Sequence, residues 1–592
     1  MQSGYAQIRY ACGRESLAPR IRTRVNKKEF ENLLTRRLLF FDGAMGTMLE
    51  GSCPKGELPE FLNVSKPEVV INLHKRYLKA GADVITANTF GANRIKLKGS
   101  GYSVERIVEA AAENAVQAIQ SCNLGEKFIA LDIGSIGQLL DPNGTLSFEE
   151  AVDIFSETVR AGVNAGVDII LIETVSDLYE LKAAVIAAKE NCDLPIIVSM
   201  TVDNNGRTFM GCDAATFVAF ANAIGVSAIG INCGQGFDGI KKAIEVIVKY
   251  SRTPVIVMPN AGKEMNPKKF ADTLISFYEQ GVSIFGGCCG TTPGHISEAK
   301  KELSGKKIIQ RKPEKETTIT SGNRTAAVSR RQAPASRITV IGERINPSGK
   351  PLLIDALKKK DYGVILDEAL AQIDEGAEIL DINCGYAGIK EAEVLAEAVK
   401  EIQSIIPVPL MLDSADYKAL ERAARVYNGK PVINSLSGKK ESLDNILPIV
   451  KKYGAAVVGM CLDENGIPET AERRVEIAGK IIAEAESRGI PREDIILDCV
   501  CTAAMLRQEN LEKILMGETV TDEEIIRSDI ENGGASVTLK AVSAVKKKYG
   551  VKTVLGISNI SYGMPDRSRL NKLFLDKAAD AGLDAAIINT KS

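Results

Sequence analysis

Histidine is almost missing from this chain: its 592 residues include only His74 and His295. Metal sites built on imidazoles and Ser-His-Asp machinery are therefore nearly excluded, and any metal must be held mainly by sulfur or carboxylate. An excess of one charge is missing too. Seventy-four Lys and Arg against 76 Asp and Glu leave a formal net charge of −2, which offers no global field to nucleic acid or to a membrane. No apolar run approaches a transmembrane length, no glycine-rich phosphate loop of the expected spacing occurs, and nothing at the start reads as a secretory signal. The twelve cysteines sit mostly in apolar or glycine-rich stretches, which points to a reducing cytoplasm. The first 28 residues are basic with the single acid Glu15; they read as a disordered tail, with a targeting segment as the alternative.

What is present is a soluble composition, 45% hydrophobic and 25% charged, in a chain long enough for about two to four domains. From residue 38 short apolar runs alternate with amphipathic stretches. The strand candidates are Leu38–Asp42, Asp83–Ala87, Phe128–Asp132, Asp168–Ile172, Pro195–Ser199, Ala228–Asn232, Pro254–Met258 and Ser283–Gly286. Helices are expected at Phe148–Ala165, begun by a Ser147 cap with Glu150 three residues on, and at Asp177–Asn191. Eight βα repeats of this length read as a TIM barrel. Residues 304–337 lack an apolar period and read as a linker.

The alternation then resumes with Ile338–Gly342, Glu378–Asn383, Val408–Asp413, Pro431–Ser435, Ala455–Cys461, Asp494–Asp498, Lys552–Ile557 and Ala585–Asn589. The expected fold is thus α/β, two tandem (β/α)8 barrels: a tail at 1–34, a barrel at 35–303, the linker, and a second barrel at 338–592. The acidic stretch Thr502–Ser536 is expected to hold a loop insertion beside a helix. The sequence stops just after its eighth strand, where a closed barrel normally adds a helix, so it is expected to belong to something longer.

Reacting groups of such barrels sit at the carboxyl ends of the strands. In the first half those ends are rich in polar and sulfur groups, among them Cys233 and the pair Cys288-Cys289. An adjacent pair is weak by itself, since random placement gives about 0.2 such pairs. Yet strands six and eight can face one another across a barrel mouth, and three thiolates there would make a zinc site with an open fourth position. Neighbouring strand residues point to opposite faces, so both cysteines of the pair reach one ion only if the chain turns; Gly286, Gly287 and Gly290 permit that. The alternative is three structural cysteines packed as small hydrophobes.

The segments FDGAMGT, ANTF, INCG and GGCCGTTP resemble the homocysteine S-methyltransferase family over roughly residues 35–303. That resemblance implies zinc on Cys233, Cys288 and Cys289 with the substrate sulfur in the fourth position. It makes Asp42, Asn88 and Glu173 candidate homocysteine contacts, the two acids for its amino group.

In the second half the strand ends carry carboxylates and carboxamides, which suit a polar flat heterocycle better than a sugar phosphate. GERIN, LDINCG, LDS, INS and SNISYGMPDRS resemble the pterin-binding methyltransferases, relatives of dihydropteroate synthase, over roughly residues 338–590. The implied folate contacts are Glu343, Asn346, Asp413, Asn434, Asp498, Asn559 and Arg567. Asp498 and Asn559 are the catalytic candidates, Asn559 near the methyl-bearing N5. Cys499 stands where that family commonly has a proline, which puts one side of the pterin site in doubt.

Both resemblances in this order are similar to the first modules of the cobalamin-dependent methionine synthases. The implied partners are homocysteine, 5-methyltetrahydrofolate and a methylcobalamin on an absent domain or separate corrinoid protein. Neither histidine lies in an Asp-x-His-x-x-Gly cobalamin loop, so turnover is expected only with added corrinoid. The rival readings are a corrinoid-independent transferase using betaine or S-methylmethionine, and a non-catalytic platform for a corrinoid protein.

Overall fold

Ser147 begins its helix as the sequence requires. Its hydroxyl accepts the Glu150 N–H at 3.2 Å, and the Glu150 carboxylate accepts the Ser147 N–H at 3.1 Å. The helix Phe148–Ala165 follows and stops at Gly166, whose φ of +92° a side chain would resist. Asp177 caps the next helix, Leu178–Asn191, by accepting the Tyr179 N–H at 2.9 Å.

The computed structural model describes residues 25–234, 236–262, 265–328, 338–505, 508–516 and 518–591. The basic N-terminal stretch through residue 24, with its targeting alternative, lies outside the described residues. So does 329–337 of the expected linker.

Strands β1 (Leu39–Phe40), β2 (Val84–Thr86), β3 (Phe128–Ile133), β4 (Ile169–Val175), β5 (Ile196–Met200), β6 (Ala228–Cys233), β7 (Val255–Pro259) and β8 (Ile284–Phe285) form one parallel sheet. Its neighbours run β1-β8-β7-β6-β5-β4-β3-β2, and a parallel bridge from Phe41 to Val84 brings its ends together. The second barrel is closed: β11 (Thr339–Ile345), β12 (Ile379–Asn383), β13 (Leu410–Asp413), β14 (Val432–Ser437), β15 (Ala456–Met460), β16 (Ile495–Asp498), β17 (Lys552–Gly556) and β18 (Ala585–Ile588), with Thr339 in register with Ala585. The fold is the expected pair of (β/α)8 barrels. The stretch after β16 carries more helix than expected, at Gln508–Leu515 and Asp522–Asn532, with Gly534–Tyr549 next. Among the described residues no helix is long and apolar enough to cross a membrane.

Each barrel floor is closed by the segment just before it. Part of the expected tail forms the helix Lys27–Leu34, whose buried Phe30 and Leu34 join the barrel-filling residues Leu39, Val84, Phe128 and Ile169. The Phe30 ring meets Phe128 edge to face at 5.7 Å; burying such a side chain stabilises by about 1.5–3 kcal/mol. Part of the expected linker forms an antiparallel hairpin, β9 (Thr318–Thr320) and β10 (Thr325–Ala327), whose Ile319 and Ala326 pack with Ile341, Ile379 and Met411 of the second barrel.

The barrels meet along their outer helices. The wholly buried Lys182 of Leu178–Asn191 donates to Ala424 O at 2.7 Å and Tyr427 O at 2.6 Å, at the end of the helix Tyr417–Val426. Arg425 of that helix forks onto Glu149 and Glu190 of the first barrel, with closest approaches of 2.7 Å to each.

Candidate functional site

The pleat rule locates both mouths. In the first barrel Val84, Ala130, Leu171 and Ile197 fill the interior. Two residues further along each strand, on the same face, come Thr86, Asp132, Glu173 and Ser199. Asn232 of β6 is the hub of this layer. Its Nδ2 lies 3.2 Å from Glu173 Oε2, 2.7 Å from Thr174 Oγ1 and 3.8 Å from Cys288 Sγ, while its Oδ1 accepts the Thr174 N–H and the Ser199 hydroxyl at 2.8 Å each.

Beside this layer the chain bends sharply. Cys233 and Thr174 take φ of +57° and +58°, values that non-glycine residues rarely adopt and that cluster at functional sites. β8 ends at Phe285, so Cys288 and Cys289 fall in the turn their glycines allow. A Cβ at Gly287 would lie 2.5 Å from Thr291 Oγ1, and Gly290 sits at φ +79°. The outcome is one cluster: Cys233, Cys288 and Cys289 place their sulfurs within 4.8 Å of one another. Asn260 Nδ2 lies 3.4 Å from Cys233 Sγ. Hydrogen bonds from Cys288, then Cys289 and Asn260, hold the Cys233 thiol well below its ordinary range. Three sulfur donors, one exposed, fit a soft divalent ion with an open position.

Asp42 and Asp132 are buried and Glu173 is half-buried, and among the described residues none of the three has an ion-pair partner within 4 Å. Burial raises Asp42 to about 8 against the opposing Thr86 hydrogen bonds, and burial followed by Cys233 raises Glu173 to about 7. Asp132 is raised well above its ordinary range by burial and by Glu173 and Asp42, and among the described residues its Oδ1 has no hydrogen-bond partner. Asn88 is placed differently. Its Nδ2 donates to Pro59 O at 2.8 Å and Asn63 Oδ1 at 3.1 Å, which ties down a neighbouring loop. Asp132, Asn232 and Asn260 escaped the sequence reading as site residues; for the first two, counting two residues on from Ala130 and Gly230 would have found them.

The second mouth follows the same rule. Interior residues Ile341, Ile379, Met411, Val432 and Ile496 are followed two positions on by Glu343, Asp381, Asp413, Asn434 and Asp498. Four of these five were expected; Asp381 was not. Asn434 Nδ2 donates to Asp381 Oδ1 at 3.3 Å and Asn383 Nδ2 to Asp413 Oδ2 at 2.9 Å. Burial raises Asp381 and Asp413 above the usual carboxylate range, and lifts Asp498 to about 6 against hydrogen bonding from Val500 and the nearby Arg474 cation.

Asn346 and Asn559 lie on loops around this layer. Asn346 Oδ1 accepts the Ser348 N–H at 3.0 Å, and Asn559 is exposed at the end of a short 3₁₀ turn, Ile557–Asn559. Arg567 donates to Ser558 O at 2.6 Å and Ser561 Oγ at 3.1 Å, and Ser558 Oγ donates to Glu343 at 2.5 Å. Glu343, Ser558, Arg567 and Lys591 line a polar cavity of about 130 Å³.

Residues 39–303 match the family model described as homocysteine S-methyltransferase, and residues 342–518 the one described as pterin binding enzyme. Methionine synthase of Mycobacterium leprae is 30% identical over 608 residues, covering 94% of this chain and 47% of the relative. That of Mycobacterium tuberculosis is 29% identical over 595 residues, covering 94% and 48%. The chain therefore spans about half the length of the curated relatives it matches. Among solved structures, the metallated homocysteine methyltransferase MmuM of Escherichia coli is 24% identical with a TM-score of 0.41, covering 46% of this chain and 98% of its own. Dihydropteroate synthase of Xanthomonas albilineans with 7,8-dihydropteroate is 14% identical with a TM-score of 0.32, covering 46% and 92%.

Proposed function

With a homocysteine S-methyltransferase domain followed by a pterin-binding domain as the premise, we propose that the chain supplies the two substrate sites of a methionine synthase. The first barrel binds and activates homocysteine. The second binds 5-methyltetrahydrofolate as methyl donor, and the products are methionine and tetrahydrofolate. The observation that carries this reading is the three-sulfur cluster at the mouth of the first barrel.

Cys233, Cys288 and Cys289 would hold zinc, which supplies a Lewis acid that keeps a bound thiol ionised below its free value of about 8.5. Asn232 and Asn260 orient the sulfurs through their amides. Asp42 and Glu173 receive the substrate ammonium, whose charge offsets the burial of their carboxylates. In the second barrel Asp413, Asn434 and Asp498 present the acceptors and donors that a pterin edge requires. Asn559 donates a hydrogen bond at N5, where charge develops as the methyl leaves.

A resident corrinoid does not fit the described residues. His74 is buried, and both ring nitrogens of His295 are engaged, with Thr292 and with Met265 O. The methyl carrier is proposed to be a cobalamin on another domain or protein.

Metal analysis with homocysteine titration tests the proposal. The unaltered chain is expected to hold about one zinc and to release about one proton on binding homocysteine; Cys233→Ser is expected to lose both. Retention of metal and thiol ionisation in that variant refutes the ligand assignment, and methionine formation from 5-methyltetrahydrofolate without any corrinoid refutes the carrier.

A further inference from the structure

Just past Asp498 the backbone takes a conformation its residue resists. Val500 sits at φ +63°, in the left-handed region that a β-branched side chain rarely enters. Such a conformation persists only where its surroundings hold it. Here the holder is Arg474, 3% exposed on the helix Ala471–Ser487. Its Nη1 lies 2.8 Å from Cys499 O, 2.9 Å from Val500 O and 2.9 Å from Thr538 Oγ1, and its Nε donates to Pro468 O at 2.9 Å. Thr538 Oγ1 itself donates to Val500 O at 2.9 Å. Held this way, the turn aims the Val500 N–H at Asp498 Oδ1, 2.7 Å away.

Arg474 forms no ion pair with a carboxylate among the described residues, so its buried charge is met by carbonyls and a hydroxyl. A guanidinium is costly to bury, and neutral acceptors repay it less well than a carboxylate would. A single nitrogen, Nη1, reaches two successive carbonyls of a strained turn next to a carboxylate in the barrel mouth, while Nε anchors the planar group to Pro468 O.

We infer that Arg474 is a positioning residue for the pterin site. It locks the Cys499-Val500 turn so that the Val500 amide fixes one Asp498 oxygen and leaves the other turned to the bound ring. The inference rests on the second barrel being the folate site. It also bears on Cys499, where a proline is the commoner residue in the family resembled: the turn here is secured from outside, by Arg474 and Thr538.

The test is a double-mutant cycle on the full chain, with 5-methyltetrahydrofolate binding measured by calorimetry and folding followed by circular dichroism and urea midpoint. Arg474→Met is expected to weaken binding about tenfold in the unaltered background but less than about twofold in Asp498→Ala, which removes the acceptor of the Val500 N–H, because the two residues act through one contact. Arg474→Lys, which keeps a cationic donor without the Nε anchor to Pro468 O, is expected to recover about a third of the loss on a logarithmic scale. Additive losses in the cycle, or Lys behaving no better than Met, overturn the inference while leaving the folate assignment standing. Absence of binding by the unaltered chain refutes that assignment and the inference with it. If Arg474→Met does not fold, the cycle is run with Arg474→Lys, and additivity there overturns the inference equally.

Discussion

His74 offers a sharp test of the electrostatics of the first barrel. It lies on the helix Pro67–Lys79, fully buried, and among the described residues neither ring nitrogen has a hydrogen-bond partner. Burial lowers its pKa from the ordinary 6.5 to about 4. The unfolded chain therefore takes up a proton that the folded chain refuses. The contribution of this group to stability is complete above about pH 6.5 and is lost as pH falls towards 4, where it amounts to about 3 kcal/mol at about 1.4 kcal/mol per pH unit. Asp42 at about 8 and Glu173 at about 7 act with the opposite sign: their folded carboxyls hold protons more tightly, so they favour the folded state as pH falls through that range. A comparison of the unaltered chain with His74→Leu cancels those acids. Leucine removes a buried, unpaired N–H, so the variant is expected to match the parent within about 1 kcal/mol at pH 7.5. Urea unfolding at pH 4 should then find the variant about 3 kcal/mol more stable than the parent. Identical pH dependence of the two proteins would refute the reasoning.

Replacing Lys182 by Met should leave Ala424 O and Tyr427 O without their donor and weaken the contact between barrels by about 2–4 kcal/mol; hydrogen exchange in Tyr417–Val426 should quicken, and unchanged protection there would count against the clamp. Ile319→Asp puts a charge in the floor of the second barrel and should lower the unfolding midpoint of that barrel while sparing the first. A shift of both midpoints together would show that the hairpin does not belong to the second barrel alone.

The sixteen barrel strands were legible because each is a short apolar run set between helical patterns, as Phe128–Ile133 between its neighbouring helices illustrates. The cysteine cluster was legible because glycines flank the pair and license the turn that joins it to Cys233. Other features were hidden for separate physical reasons. The hairpin strands are three residues each, too short for a period to emerge from polar surroundings. Asp132, Asn232 and Asp381 needed the pleat to be counted along each strand. Arg474 reads as one more charge on an amphipathic helix, and its contacts with Cys499 and Val500 exist only in three dimensions. The barrel contact left one unread trace: every residue from Leu178 to Ala188 is buried, and a helix covered on all sides must have a second neighbour.

The hairpin before the second barrel also has a history within each molecule. It leaves the ribosome well before the strands whose floor it closes, since β18 at Ala585–Ile588 must pair with β11 before that floor exists. At about 5–20 residues per second the wait is on the order of 10–50 s. By then the first barrel has emerged as far as β8, and it offers a foothold: Thr216 Oγ1 lies 3.0 Å from Thr325 Oγ1. The older barrel can thus hold the hairpin through this contact while the younger one is still being made, and the order of the two domains along the chain becomes an order of assembly.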